Sequence, residues 1–431
     1  MVHRFNADDS GFAAEFAAFV ATEREAAETV DQTVAEIVLD VRKRGDRALY
    51  DYTRRFDKFD AAATGLAVTG AEIERALGRC APEVLAALDT AAARIAAFHR
   101  RQTPPDDRFT DADGVELGYR WTPIEAVGLY VPGGSAAYPS SVLMNAIPAR
   151  LAGVPRRVMV MPTPQGEINP LVLAAAKLAG VTEIYRVGGA QAVAALAYGT
   201  ESIRPVDKIF GPGNAYVAAA KRQVFGTVGI DLIAGPSEIL VVADAANDPA
   251  WIAADLLSQA EHDPAARSVL ITDDADFAAA VAAAIEAELA ELARGDIASA
   301  SWRRHGAIVV VRDLDQAPAL VDRIAPEHLE LAVAEPERLA AQVRHAGAIF
   351  LGRHTPEAIG DYVAGPNHVL PTSGAARFSS GLSLLDFLKR TTLVKCDAAS
   401  LARIGPAAVA LAEAEGLGAH ARSVAIRSNQ V

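Results

Sequence analysis

Cysteine is nearly absent: among 431 residues only Cys80 and Cys396 carry a thiol. Two thiols cannot build a disulfide framework and suit a reducing compartment. Neither stands in a Cys-x-x-Cys pair, which excludes a thiolate zinc site. Positive charge is also short, with 41 Lys and Arg against 54 acidic residues and a formal net charge of −13. Without an excess positive field, a general nucleic-acid partner is disfavoured. No apolar run approaches the roughly 20 residues of a membrane span. The first residues include Asp8, Asp9 and Glu15, where a secretory signal needs a basic start and an apolar run. These absences predict a soluble, cytoplasmic chain with neither nucleic-acid nor membrane partners.

What is present is a globular composition, 51% hydrophobic and 22% charged, long enough for two or three domains. Alanine-rich amphipathic runs from about Ser10 to Phe98 predict helices. Asp106 to Tyr119 reads as a connection or short hairpin. From Ala126 onward apolar strands alternate with helices: strands 126–131, 157–161, 183–187 and 208–210, with helices over 140–151, 169–178, 190–197 and 214–224. A second run places strands at 239–242, 268–272, 308–311, 329–333 and 349–351, with helices 249–259, 276–292, 318–324 and 335–343. Such alternation predicts mostly parallel sheets with helices on both faces. After Gly381 the chain reads as helical, and the tail from Glu415 has too little apolar surface to pack on its own domain. A partner subunit would cover it.

Four polar motifs carry candidate chemistry. Gln259-Ala-Glu-His262-Asp-Pro264 ends a helix, and its Gln and His, three apart, share one face. That spacing can present two ligands to one metal, although a histidine complementing the helix dipole is the commoner explanation. Ala325-Pro-Glu327-His328-Leu sets a carboxylate beside an imidazole just before a strand; such a pair can move protons near neutral pH, or be an ordinary surface pair. Gly360-Asp361-Tyr-Val-Ala-Gly-Pro-Asn-His368 is a loop with an acid and a histidine, favoured as functional over a plain Asp cap and turn. Glu415-Gly-Leu-Gly-Ala-His420-Ala-Arg422, on the terminal arm, taken alone reads as solvated.

Three glycine-rich turns each follow a strand and open a helix: Tyr130-Val-Pro-Gly-Gly-Ser135, Val187-Gly-Gly-Ala-Gln191 and Phe210-Gly-Pro-Gly-Asn214. Backbone N–H groups at such turns favour phosphate, so a dinucleotide is compatible. The GxGxxG fingerprint is absent, because Tyr216 occupies the third glycine position. Ile233-Ala-Gly-Pro-Ser237-Glu238 adds a hydroxyl and a carboxylate where the two α/β runs join, and domain junctions are favoured ligand sites.

Taken together and in order, these strings resemble the histidinol dehydrogenase family, over about Ile124 to Arg422 and more weakly before it. The resemblance implies two incomplete Rossmann-like domains (122–236 and 237–380), an N-terminal helical region and connection (1–121), and a C-terminal arm (381–431) exchanged in a homodimer. It implies zinc on Gln259, His262, Asp361 and His420, the last from the other subunit. Glu327 and His328 correspond to the acid–base pair, Ser237 and Glu415 to substrate-binding groups with His368 nearby, and Tyr130, Gln191 and Asn214 to the NAD site. The implied reaction is NAD-dependent oxidation of L-histidinol through bound L-histidinal to L-histidine, the last step of histidine biosynthesis. The zinc ligands and His328 would also contact the substrate. Neither cysteine lies in a motif, so hydration of the aldehyde is expected rather than a thiohemiacetal. A zinc hydrolase and a silent nucleotide-binding scaffold are the rival classes.

Overall fold

A computed structural model describes residues 2–22, 28–133, 138–233 and 235–427. Gly134 and Ser135 of the first glycine-rich turn, and Ala234 before Ser237, lie outside the described residues. The chain opens with β1 (His3–Asn6) and α1 (Phe12–Ala21), then α2 (Glu28–Arg44), α3 (Asp46–Phe56), α4 (Ala61–Thr64), α5 (Gly70–Leu77) and α6 (Pro82–Arg100). The Asp106–Tyr119 segment is a hairpin, β2 (Asp107–Thr110) and β3 (Glu116–Pro123).

The first α/β run holds β4 (Ala126–Tyr130), α7 (Pro139–Leu151), β5 (Arg156–Met161), α8 (Pro170–Ala179), β6 (Glu183–Arg186), α9 (Gly189–Tyr198), β7 (Lys208–Phe210), α10 (Ala215–Val224) and β8 (Gly229–Ile230). Local chemistry explains the boundaries. For α8, the Asn169 side chain accepts the Leu171 N–H, Pro170 opens the first turn, and Gly180 ends the helix at φ 79°. The five strands are all parallel in the order β6-β5-β4-β7-β8. The order reverses between β4 and β7, a switch point where ligands favour the carboxyl ends. Helices α6, α7 and α8 cover one face of this sheet; α2, α9 and α10 cover the other.

The second run comprises β9 (Glu238–Ala243), α11 (Pro249–Ala260), β10 (Arg267–Thr272), α12 (Ala275–Leu289), α13 (Gly295–His305), β11 (Ala307–Val310), α14 (Ala317–Ile324), β12 (His328–Ala332), α15 (Pro336–Ala340), β13 (Ala348–Leu351) and α16 (Glu357–Tyr362). Its parallel sheet runs β1-β11-β10-β9-β12-β13. Strands β9, β10 and β12 are buried throughout, as continuous apolar strands between two helical layers should be. The sequence reading has no strand at the N-terminus and one long helix over 276–292. In the structure β1 adds to the sheet edge beside β11, and a separate helix, α13, follows α12.

After Gly381 a single 3-10 turn (Leu384–Phe387) leads into a strand rather than an α-helix: β14 (Leu388–Lys395) pairs antiparallel with β3, and β14-β3-β2 form a third sheet. Only tertiary pairing makes a strand of LKRTTLVK, whose solvent-facing residues carry little alternation. Then α17 (Ala398–Ala414) and α18 (Gly418–Ala425) pack on each other. Arg403 Nε donates to the Asp113 carbonyl at 2.8 Å, tying α17 to the hairpin. Leu411, Leu417 and Ile426 stay exposed on this arm.

Candidate active site

The polar motifs converge at the amino ends of the second sheet, rather than at the carboxyl edge usual for α/β folds. Ser237 precedes β9, Glu327 precedes β12 and His328 begins it. Gln259 lies in the last turn of α11 and His262 in the turn beyond, where the His262 N–H donates to the Gln259 carbonyl at 3.2 Å. Ala325 ends α14 with φ 49°, turning the chain into Pro326-Glu327-His328. A cleft of about 160 Å³ is lined by Ser237, Gln259, His262, Glu327, His328, Asp361 and His368. Seven separately weak residues thus share one wall-to-wall site.

Helix α6 supports the loop that supplies Asp361 and His368. Arg94 donates to the Val363 carbonyl, and Gly365, at φ +112°, packs against the Arg94 carbonyl, which a Cβ would meet at 3.0 Å. Asn367 Nδ2 donates to the Met144 carbonyl at 2.6 Å, fastening the loop to α7.

One backbone unit orients the acid–base candidates. The Glu238 N–H donates to Glu327 Oε2 at 3.0 Å, and the Glu238 carbonyl lies 2.9 Å from His328 Nδ1. A carbonyl can only accept, so Nδ1 carries the proton and Nε2 has the free lone pair. Likewise His368 Nδ1 donates to the Asp361 carbonyl at 3.1 Å, leaving Nε2 3.4 Å from Ser141 Oγ. Gln259 Nε2 lies 2.9 Å from His262 Nδ1.

Burial dominates the electrostatics. It pushes Glu327 well above the usual carboxylate range, helped by the nearby Glu238, Asp361 and Glu357 charges and opposed by the Glu238 N–H. Burial holds His328 and His368 below the ordinary imidazole value. Both rings are therefore neutral at pH 7, and His328 Nε2 is free to take a proton.

Glu357 is a residue the sequence reading passed over. It is 1% exposed, and Oε1 lies 3.5 Å from His328 Nε2. Burial, then the Asp361 charge, raises its carboxyl to about 8. Candidate ligand atoms of His328, Glu357 and Asp361 lie within 4.8 Å of one another. The sequence did hold a signal: Glu357 and Asp361 are four apart and share one helix face. Gln259 Oε1, His328 Nε2 and Glu357 Oε1 are buried without a hydrogen-bond partner, which is costly unless something else satisfies them. A cation held by Gln259 would satisfy its Oε1, and the N/O donors of the cleft suit zinc.

The remaining expected residues lie elsewhere in this chain. Tyr130 ends β4, Gln191 lies in the first turn of α9 after β6, and Asn214 follows β7, all outside the cleft. Buried Tyr130 accepts the Gly189 N–H on its hydroxyl at 3.0 Å. Asn214 caps α10, its Oδ1 accepting the Tyr216 and Val217 N–H groups at 3.1 and 3.2 Å. Pro212, two residues before Asn214, does line the cleft. Glu415 and His420 are exposed on the arm and do not reach the cleft of their own chain.

A family model described as histidinol dehydrogenase matches residues 20–428. A histidinol dehydrogenase of Rhodospirillum rubrum is 68% identical over 428 residues, spanning 99% of both chains. One from Rhizobium meliloti is 64% identical over 429 residues, covering 100% of this chain and 99% of its own. The crystal structure of a histidinol dehydrogenase from Elizabethkingia anophelis superposes with a TM-score of 0.94 at 38% identity, over 99% of this chain and 98% of that one.

Proposed function

This chain belongs to the histidinol dehydrogenase family, and on that footing we propose that it oxidises L-histidinol through bound L-histidinal to L-histidine with NAD, at a zinc site. This is the last step of histidine biosynthesis, and we read the enzyme as cytoplasmic. The observation that carries the proposal is the shared cleft of Ser237, Gln259, His262, Glu327, His328, Asp361 and His368.

Gln259, His262 and Asp361 would hold zinc, with His420 of a second subunit completing the set. When bound, zinc would anchor the substrate's imidazole and amine and offset the crowded carboxylates. NAD would accept the hydride in each of the two oxidations, seated along Tyr130, Gln191 and Asn214. His328 Nε2, neutral and aimed by the Glu238 carbonyl, accepts the proton of the substrate hydroxyl. Glu327, held on the Glu238 N–H, acts on the water that hydrates the aldehyde, with His328 assisting. Ser237 and the second subunit's Glu415 would bind the substrate, with His368 beside them. Cys80 is half-buried and Cys396 exposed; neither lines the cleft, which supports hydration over a thiohemiacetal.

We read the two parallel sheets as two incomplete Rossmann-like domains, 122–236 and 237–380, with regions 1–121 and 381–431 before and after. Within 122–236 and within 237–380 the five strands run 3-2-1-4-5, the doubly wound order without its own sixth strand, and β1 adds to the second sheet's edge from the N-terminal region. Homodimer exchange of the arm is supported by its exposed Leu411, Leu417 and Ile426. An apolar groove of about 420 Å³, lined by Phe98, Ile349, Phe350 and Ile359, also opens beside His328 and Asp361.

The test is a steady-state assay of L-histidinol and NAD by nicotinamide absorbance, with and without a chelator. Two equivalents of reduced cofactor per histidine, lost on chelation and restored by zinc, are expected. No nicotinamide reduction would reject the dehydrogenase reading in favour of a hydrolase or scaffold. Activity untouched by chelation would reject the metal.

A further inference from the structure

Lys221 and Asp231 form an ion pair with both side chains only 2% exposed, and neither lines the cleft that holds the acid–base groups. Burying two charges is expensive, and apolar side chains of similar volume are often no less stable there. The pair therefore calls for a role beyond stability. Its surroundings supply one: both partners also grip the backbone of Gly211. The Gly211 N–H donates to Asp231 Oδ2 at 2.8 Å, and Lys221 Nζ donates to the Gly211 carbonyl at 3.0 Å.

Gly211 is the first residue after β7. It sits at φ +110°, where a Cβ would lie 2.1 Å from the Tyr130 carbonyl. The turn it opens leads to Pro212, which lines the cleft, and to Asn214, which caps α10. Asp231 follows β8 and starts the segment through Leu232 and Gly235 to Ser237, all three of which line the same cleft. Helix, turn and crossover segment thus meet at one pair of charges.

From this geometry we infer that Lys221 and Asp231 are positioning residues for the cofactor. They hold the Gly211–Asn214 turn against Tyr130. A turn at a switch point lacks a ladder of backbone hydrogen bonds, and charge-assisted bonds to both sides of one peptide residue replace it. The pair touches neither substrate nor reacting atoms; it acts through the turn. The inference rests on the NAD reading above.

The test uses the full-length protein and two double variants. K221M/D231L removes both anchors; K221M/D231N keeps an acceptor for the Gly211 N–H. NAD is titrated by fluorescence quenching, zinc is quantified, and KM values are measured separately for NAD and histidinol. For K221M/D231L the NAD dissociation constant and KM rise about tenfold, about 1.4 kcal/mol of binding free energy. Zinc content and the histidinol KM stay within twofold, about the error of such measurements. K221M/D231N falls between parent and K221M/D231L. A folded K221M/D231L that binds NAD as the parent does overturns the inference; if that variant does not fold, parental affinity in K221M/D231N does the same. Failure of the unaltered protein to bind NAD would instead overturn the cofactor reading, and this inference with it.

Discussion

Glu330→Gln should stabilise this protein, increasingly so as pH rises. Glu330 lies on β12, 1% exposed, two residues after His328. Burial, then the neighbouring Asp255 charge and hydrogen bond, raises its carboxyl to about 9. Asp255, on α11, is raised by burial to about 6. At pH 7 one proton is therefore held between them on Glu330, which donates to Asp255 and accepts the Glu357 N–H. In the unfolded chain a glutamate releases that proton above about pH 4.3. The folded state thus binds more protons than the unfolded state, so this group makes stability fall as pH rises from about 4.3 towards its folded value. At pH 7 the cost is at most about 3.7 kcal/mol, from roughly 2.7 pH units at about 1.36 kcal/mol each.

Glutamine reproduces the protonated carboxyl: its amide donates to Asp255 and its carbonyl accepts the Glu357 N–H, with no proton to release. Urea melts of both proteins at pH 5, 6, 7 and 8 provide the assay. The stability gap should widen in favour of E330Q by about 1 kcal/mol per pH unit. A gap constant between pH 5 and 8, or a destabilised E330Q at every pH, would refute the shared-proton picture.

His328→Gln should keep its zinc while kcat falls by about 10²–10⁴, the range for losing a general base; an unchanged rate removes His328 from that role. Because burial depresses the His328 imidazole, the acid limb of wild-type kcat/KM should lie below its ordinary value of about 6.5; a limb above it would contradict a buried neutral base. If the arm is exchanged, His420→Ala and His328→Gln homodimers are both inactive, yet dissociated and remixed they recover about a quarter of wild-type activity, since half the dimers would carry one intact site. No recovery in dimers shown by mass to be mixed would place His420 outside the partner's site.

How much could be read in advance varied with the range of the interactions. Helix α8 was legible because Asn169, Pro170 and Gly180 specify their ends locally. β9 was legible because Ile239 to Ala243 is an unbroken apolar run. β14 was not, since its strand state depends on pairing with β3, over 260 residues earlier in the chain. In the site, Asp361 stood out through its unusual loop motif, whereas the Glu327-His328 pair read equally well as an ordinary surface pair until the motifs were taken together. Glu357 sat in an ordinary helix start, and its meaning comes from the 3.5 Å approach to a histidine on another element.

Two thiols, a negative charge and the absence of long apolar runs bounded the protein's class from composition alone. The order of its motifs pointed to the family, because local residue choices record turns, caps and strand ends directly. The sequence alone also placed Gln259 and His262 together, since one helix end sets their spacing. Only the tertiary structure brought Ser237, Glu327, Asp361 and His368 to that pair and buried Glu327, His328 and His368 enough to shift their proton affinities. It also fixed the His328 tautomer through the Glu238 carbonyl. Those outcomes depend on long-range packing and on the loss of water, which no short stretch of sequence carries.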